Sequence, residues 1–390
     1  MNKDKKIRVI VLMQMLLIAL IAISIPALIT TFQKEYNLSI AQSSIIPIIG
    51  TIGGFITNLI IATLSAKMGL KRLNLYFLSI GLIASTMLAL ANNIYFFLVG
   101  ILLVGITTAF GLTNTSTIFA HLDIKYQNYG LFHAFFGIGG IFAPAIISYL
   151  LLKNIAYNYI YYFLMIAFTA FIAFVAFSDL IENRKYENIK LKKAFGIIKK
   201  RFVLPVLILI SIQAGSEQGI VTWSGNLFNN VLNYSLESAS MFLSVYWILF
   251  TLSRLLIQFV ENKIGKLNTS KLSIILVLSS ITLLLLTNNP LFFLLLAMGT
   301  APVFPLMQKY TAQKLPEQEV GLFNGLAFAF ASMGNVVITG SMGFVAEMNL
   351  KLSYMIPILG ALIILAILFY LSKMKKTGMI KVSPKYIKKS

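Results

Sequence analysis

The sequence predicts an all-α membrane protein of twelve transmembrane helices, arranged as two six-helix halves. Three observations lead there. Of 390 residues, 58% are hydrophobic and 11% are charged, whereas a soluble domain carries about 25% charged residues. The apolar residues gather into twelve runs, and a run of about 20 residues at 1.5 Å each crosses a hydrocarbon core of roughly 30 Å. A basic stretch then separates the first six runs from the last six.

Cut at charges and turn residues, the spans of the first half run over 7–32, 41–64, 73–91, 94–120, 129–152 and 156–180. The first has a basic start and no small-residue cleavage site, and it is longer than the core of a secretion signal, so it reads as a membrane helix. The second half spans 202–231, 236–260, 272–287, 290–311, 320–346 and 352–371. This gives an N-terminal half over 1–180, a basic linker over 181–201, a C-terminal half over 202–372 and a basic tail over 373–390. The linker is expected to carry a surface helix over 190–200, either touching anionic lipid or acting as an orientation tether.

Charge placement supplies the topology. The N-terminus, the even-numbered loops and the tail hold 28 of the 32 Lys and Arg residues. The odd-numbered loops hold Lys34, Lys153 and Lys351, and Arg254 lies inside a span. The positive-inside rule therefore predicts a multi-pass protein of the cell (plasma or inner) membrane with both termini cytoplasmic. The same rule accounts for the net charge of +20 without nucleic acid as a partner. With no Cys and two His, the sequence offers neither a disulfide framework nor a structural metal site. It has no Gly-Lys-Ser/Thr phosphate loop and no soluble insertion of catalytic size, so neither ATP, another cofactor nor enzymatic activity is expected.

A faint internal repeat supports two related halves. The loop after span two reads Ser65-Ala66-Lys67-Met68-Gly69-Leu70-Lys71-Arg72, and that after span eight reads Glu261-Asn262-Lys263-Ile264-Gly265-Lys266. Each places a Lys two residues before a Gly, with basic residues following. These loops resemble the signature of the major facilitator superfamily, in which an Asp-Arg pair precedes the Gly. Here Ala66 and Asn262 occupy the Asp position. Further resemblance lies in Leu131-Phe132-His133 with Gly137, Gly139, Gly140 and Pro144, in Gly215-Ser216-Glu217 with Trp223, in Tyr246-Trp247 with Ser253-Arg254, and in Ala301-Pro302-Val303-Phe304-Pro305. Together these look like the fucose permease-like branch of sugar:proton symporters. The resemblance implies the major facilitator fold, with 3+3 inverted repeats in each half and a substrate site between the halves. The permeases resembled use a carboxylate in span one; this chain has none over 7–32.

The strongest candidate residue is Glu217. It follows the apolar run 202–212 and lies about fifteen residues, or roughly 22 Å of helix, into span seven. A carboxylate at that depth faces a wet cavity, finds a partner or carries a proton. Gln213, Glu217 and Ser224 share one face of the helix. Two readings stand: a proton carrier that also bonds substrate, or a carboxylate locked to Arg254 or to amides. Arg254, about eighteen residues into span eight, is expected to anchor the cytoplasmic side or to form a gate ion pair. The loop residues Lys67, Gly69 and Arg72 join it as gating candidates. His133 is either a packed inner-gate residue or a second proton-coupling group, while His121 and Asp123 read as interfacial.

Substrate-binding candidates are Gln14 and Ser24 in span one, Asn58 with Gly54 and Thr57 in span two, and Asn114 with Thr107 and Gly111 in span four. Gln213 and Trp223 in span seven, and Asn324 and Asn335 in span eleven, complete the set. Neutral amides beside an aromatic platform suit a polyol, though each could equally be a helix–helix contact. Gly50, Gly53 and Gly54 fit close helix packing. These residues point to a secondary active transporter moving a small polar solute, a sugar foremost, by proton-coupled alternating access. The alternative is a proton-coupled efflux pump for amphipathic compounds. A non-transporting membrane sensor is the third reading. The expected partners are the solute, H+ and the lipid bilayer, with a monomer as the simplest assembly.

Overall fold

The computed structural model describes residues 3–120, 122–123, 126, 129–177 and 196–377. Among these, twelve helices are long and apolar enough to cross a membrane, and no strand occurs. In the first half they are α1 (Lys3–Ala27), α2 (Ile45–Met68), α3 (Leu70–Ala89), α4 (Ile94–Ala120), α5 (Tyr129–Leu152) and α6 (Tyr159–Phe177). In the second half α7 (Val203–Asn226) runs into a π-helical turn (Leu227–Val231), and α8 (Leu236–Ile264) and α9 (Lys266–Thr287) follow. Two pieces, α10a (Leu291–Thr300) and α10b (Val303–Ala312), share the tenth span. The eleventh, α11 (Glu317–Gly334), continues through a π-turn (Asn335–Thr339) into Gly340–Met348, and α12 is Met355–Lys376.

The turn after α1 and the break in the tenth span have a cause in the sequence. Pro26 removes a backbone donor near the end of α1, and the chain turns at Leu28 before resuming as Ile29–Glu35. Pro302 and Pro305 break the tenth span. Of the expected linker helix, 190–195 lies outside the described residues. One helical turn occupies 196–198, and Lys200 then pairs with Glu319 at the start of α11.

By internal contacts the chain forms two compact units. One is Met1–Asn188 with Val221–Ile248; the other is Ile189–Ile220 with Leu249–Ser390. In the first unit α1 is apolar almost all round and is buried against α5 and α4; α4 packs on α2 and α3, and α3 on α6. The segment 221–248 joins this unit through neutral hydrogen bonds. Asn226 Nδ2 donates to Gln33 Oε1 at 2.6 Å, and Ser244 Oγ to the Ile141 carbonyl at 2.8 Å. Ser148 Oγ reaches the Glu237 carbonyl at 2.9 Å, and Gly140 lies directly against the Trp247 ring. In the second unit α9 packs on both pieces of the tenth span and on α12.

The repeat seen in the loops is also one of geometry. Gly69 and Gly265 precede α3 and α9 with φ of 81° and 79° and ψ of 162° and 158°, a region that glycine enters without steric cost. The missing Asp of the second loop is replaced one residue earlier. Glu261 takes Lys266 at 3.0 Å and Lys309 at 2.8 Å, so charge pairing persists there with the acid shifted to the end of α8. In the first loop Arg72 is exposed, and the Lys67 side chain lies outside the described residues.

Candidate functional site

A turn deep in the tenth span organises the second unit. In a continuous helix each carbonyl accepts from the N–H four residues on. Proline has no N–H, so Pro302 leaves the Met298 carbonyl without its donor, and Pro305 does the same for Ala301. Two neighbouring side chains of α8 fill those places: Ser253 Oγ donates to the Met298 carbonyl at 2.9 Å, and Arg254 Nε to the Ala301 carbonyl at 3.1 Å. From α7, Gln213 Nε2 donates to the Thr300 carbonyl at 3.0 Å. The carboxyl-terminal end of α10a, with its partial negative charge, is thereby fastened to both neighbours.

Glu217 stands one turn beyond Gln213 on α7. It hydrogen-bonds the Gln213 side chain and feels the charge of Arg254. The carboxylate is half-buried, as is Arg254, whose guanidinium lies 4.3 Å over the Phe250 ring. The arginine thus points inward to a backbone carbonyl, not out to headgroups. Sequence spacing could not reveal this, because the carbonyl it meets belongs to a helix 47 residues further along the chain. Ser216 Oγ, Thr251 Oγ1 and Asn335 Oδ1 are buried without a hydrogen-bond partner among the described residues.

The remaining candidates divide by how their polar atoms are used. Gln14 and Asn74, a residue the sequence reading passed over, are both fully buried and bond each other reciprocally, at 2.9 and 3.1 Å. That clasp joins α1 to α3 and uses half the bonding capacity of each amide. Ser24 Oγ returns to the Ile21 carbonyl, and Thr57 Oγ1 to that of Gly53. Trp223 is fully buried and offers no ring face to a solute in this structure. Ser224, expected on the face of Glu217, gives its hydroxyl to the Val221 carbonyl. Asn58 and Asn324 are half-buried. His133 is exposed, edge-on to Phe132. Asp123 is exposed, and its backbone N–H donates to Asp4; His121 lies outside the described residues.

Asn114 differs from all of these. It is 2% exposed, yet neither its Nδ2 nor its Oδ1 has a partner among the described residues, and Thr107 Oγ1 on the same face of α4 is equally orphaned. A buried polar group without a bond costs about 1–3 kcal/mol, which is tolerable where a ligand supplies the bond. Asn114→Leu is therefore expected to leave the melting temperature of the purified protein equal or higher while cutting solute uptake at least tenfold. Paired thermal unfolding and proteoliposome uptake measure both. A large fall in melting temperature would instead make Asn114 structural.

Among the described residues no group of His, Cys, Asp or Glu could hold a metal ion. The family model described as Major Facilitator Superfamily matches residues 10–337. Among solved structures, the chain is similar to the nucleoside transporter NupG, with a TM-score of 0.76 and 16% identity over 96% of this chain and 100% of the other. It is also similar to a bacterial homolog of the human lysosomal transporter Spinster in its inward-facing, occupied conformation. There the TM-score is 0.78 and the identity 11%, over 96% of this chain and 97% of the other. At such identities the likeness establishes the fold. No curated protein matches the sequence.

Proposed function

The chain belongs to the major facilitator superfamily, and on that premise we propose that it is a secondary active transporter carrying a small polar solute, with sugars first among candidates, by proton-coupled alternating access. One observation carries the proton coupling: Glu217, the lone acidic residue of α7, stands half-buried beside Gln213 and under the charge of Arg254. Intramembrane carboxylates with such partners mark ion and proton pathways. The sugar assignment draws on the resemblance of the span-five, -seven, -eight and -ten stretches to the fucose permease-like branch. The amide of Asn114 and the hydroxyl of Thr107 are the groups proposed to meet its hydroxyls.

Alternating access needs contacts that exchange cheaply. Those holding 221–248 to the first six helices are neutral side-chain bonds from Asn226, Ser148 and Ser244. Such bonds average about 0.6 kcal/mol each in a membrane protein, weak enough to be broken in one state and replaced in another. The charge bias of the loops supports cytoplasmic termini in a cell membrane, and a monomer is the simplest assembly consistent with this reading. Coupling requires that proton and solute favour the same conformational step.

The test is internal pH in proteoliposomes on adding a panel of sugars. Solute-driven proton uptake is expected for the native chain, with loss of at least nine-tenths of it in Glu217→Gln. Full proton movement in that variant would remove Glu217 from the coupling role and direct attention to His133. Protection of cells against amphipathic compounds, with no solute-driven uptake, would favour an exporter instead.

A further inference from the structure

We propose that α9 and α12 form a binding site for an anionic phospholipid of the cytoplasmic leaflet, with Lys271, Lys373 and Lys376 holding the headgroup phosphate. This goes beyond the transport reading and does not depend on it. It begins from one contact between two helices that pack together within the second unit. Lys271, in the second turn of α9, turns its ammonium onto the Phe369 ring of α12, 4.5 Å from the centroid. Lys373 and Lys376 follow Phe369 by four and seven residues. They therefore stand on the same face of α12, about one and two turns beyond the ring. Three cationic side chains gather where the two helices meet at one end of the unit.

No acid balances them. Neither α9 nor α12 contains an Asp or a Glu. The carboxylate nearest along the chain, Glu261, is already held by Lys266 at 3.0 Å and by Lys309 at 2.8 Å. Among the described residues none of Lys271, Lys373 and Lys376 makes an ion pair. The positive-inside rule accounts for lysines at this end of the helices. It does not account for one of them standing inside a helix, half-buried, with its charge laid on a neighbouring ring. An aromatic face attracts a cation without cancelling its charge, so the charge of Lys271 stays available to an anion.

What lies beside the lysines selects a lipid. On α9, Ile275 is about one turn on from Lys271, and on α12, Leu362 precedes Phe369 by about two turns on the same face. Ile275, Leu362 and Phe369 are all exposed. On the topology expected from the loop charges, the lysines lie at the cytoplasmic edge and this apolar strip runs on into the hydrocarbon. A free phosphate ion would meet the lysines alone. A phospholipid sets its phosphate among them and its acyl chains along the strip, so both parts of the surface are used. Basic pockets between transmembrane helices on the cytoplasmic side suit anionic headgroups. A zwitterionic headgroup carries its own ammonium beside the phosphate, which the three lysines repel.

The test uses the purified full chain, freed of lipid in detergent, and reads bound copies by native mass spectrometry during titration. The probes are phosphatidylglycerol, phosphatidylcholine with the same acyl chains, and glycerol 3-phosphate. Phosphatidylglycerol is expected to bind at least tenfold more tightly than either of the others. Lys271→Gln and Lys373→Gln should each weaken it about fivefold, the scale for one basic residue at a membrane surface, and the two together at least tenfold. Lys271→Arg should keep the native affinity. Lys373→Gln and Lys376→Gln alter exposed residues in the last turn of α12, so that pair serves if Lys271→Gln does not fold. Equal affinity for the two phospholipids, or an affinity for phosphatidylglycerol unchanged in the double variant, would overturn the site. Glycerol 3-phosphate bound as tightly as the lipid would overturn the lipid assignment in favour of a soluble phosphate ligand. A dimer that takes up no lipid and dissociates in Lys271→Gln would give the face to a second copy of this chain, and would overturn the proposal as well.

Discussion

Gly334→Ala is expected to lower the melting temperature of the purified protein by at least about 5 °C, and Gly325→Ala to change it little. Both glycines lie in α11. A Cβ on Gly334 would stand 1.8 Å from the Ser211 carbonyl oxygen and 2.9 Å from its hydroxyl, and Gly215 on α7 is pressed against the Gly334 carbonyl from the other side. Among the described residues nothing lies within 4 Å of a Cβ on Gly325. The clash involves backbone on both helices, so no rotamer relieves it and α7 and α11 must separate. Overpacking of this kind costs about 3 kcal/mol or more, which sets the scale of the thermal shift. The contact lies one and a half turns before Glu217, so separation also displaces the carboxylate. In the first unit the fifth helix repeats the device, with a Cβ on Gly139 falling 2.7 Å from the Leu16 carbonyl of α1. Equal melting temperatures for the two variants would contradict the close approach.

Glu261→Gln is the second substitution expected to be costly, at about 2 kcal/mol. The carboxylate is 7% exposed and holds two ammonium groups, Lys266 and Lys309, which are 18% and 48% exposed. Breaking a buried pair costs about 3–5 kcal/mol, and the exposure of the lysines discounts that figure. The amide leaves two like charges facing each other beside a third. Lys314, just past the end of α10b, is already pushed down to about 8 by burial, with Lys375 and Lys266 adding repulsion. Its folded value lies below the ordinary 10.5, so between pH 8 and 10.5 the unfolded chain binds more protons and stability rises with pH. Below pH 8 Lys314 is charged in both proteins, but in Glu261→Gln it meets Lys266 without the carboxylate that balances it. The loss in Glu261→Gln is therefore expected to be largest at pH 7 and to shrink towards pH 10, as read by thermal unfolding across that range. A deficit independent of pH would point to lost packing in place of unbalanced charge.

Several features of the site could be reached from residues alone, and others could not. Glu217 declares itself by depth: a carboxylate fifteen residues into an apolar run has few ordinary explanations. The carbonyls released by Pro302 and Pro305 are also implied, since a proline always removes the bond four residues back. Their captors are not, because Ser253 and Arg254 reach them across more than forty residues of chain. Glu261 shows the same limit. The loop motif puts its acid at the place of Asn262, and a shift of one position hides the substitute until Lys309 is seen beside it.

The sequence by itself determined the twelve spans, the two glycine-capped loops and the depth of the carboxylate along α7, because transfer into hydrocarbon, backbone torsion and helical rise are local properties. Tertiary structure alone decided what each polar side chain does. Gln14 is taken by Asn74, Trp223 is enclosed, Asn114 finds no hydrogen-bond partner among the described residues, and Arg254 is turned from the membrane surface to the broken tenth span. The physical reason is that a polar side chain that does not turn back on its own helix, as Ser24, Thr57 and Ser224 do, must find its partner on another helix, and which helix it finds is set by packing across the fold, not by spacing along the chain.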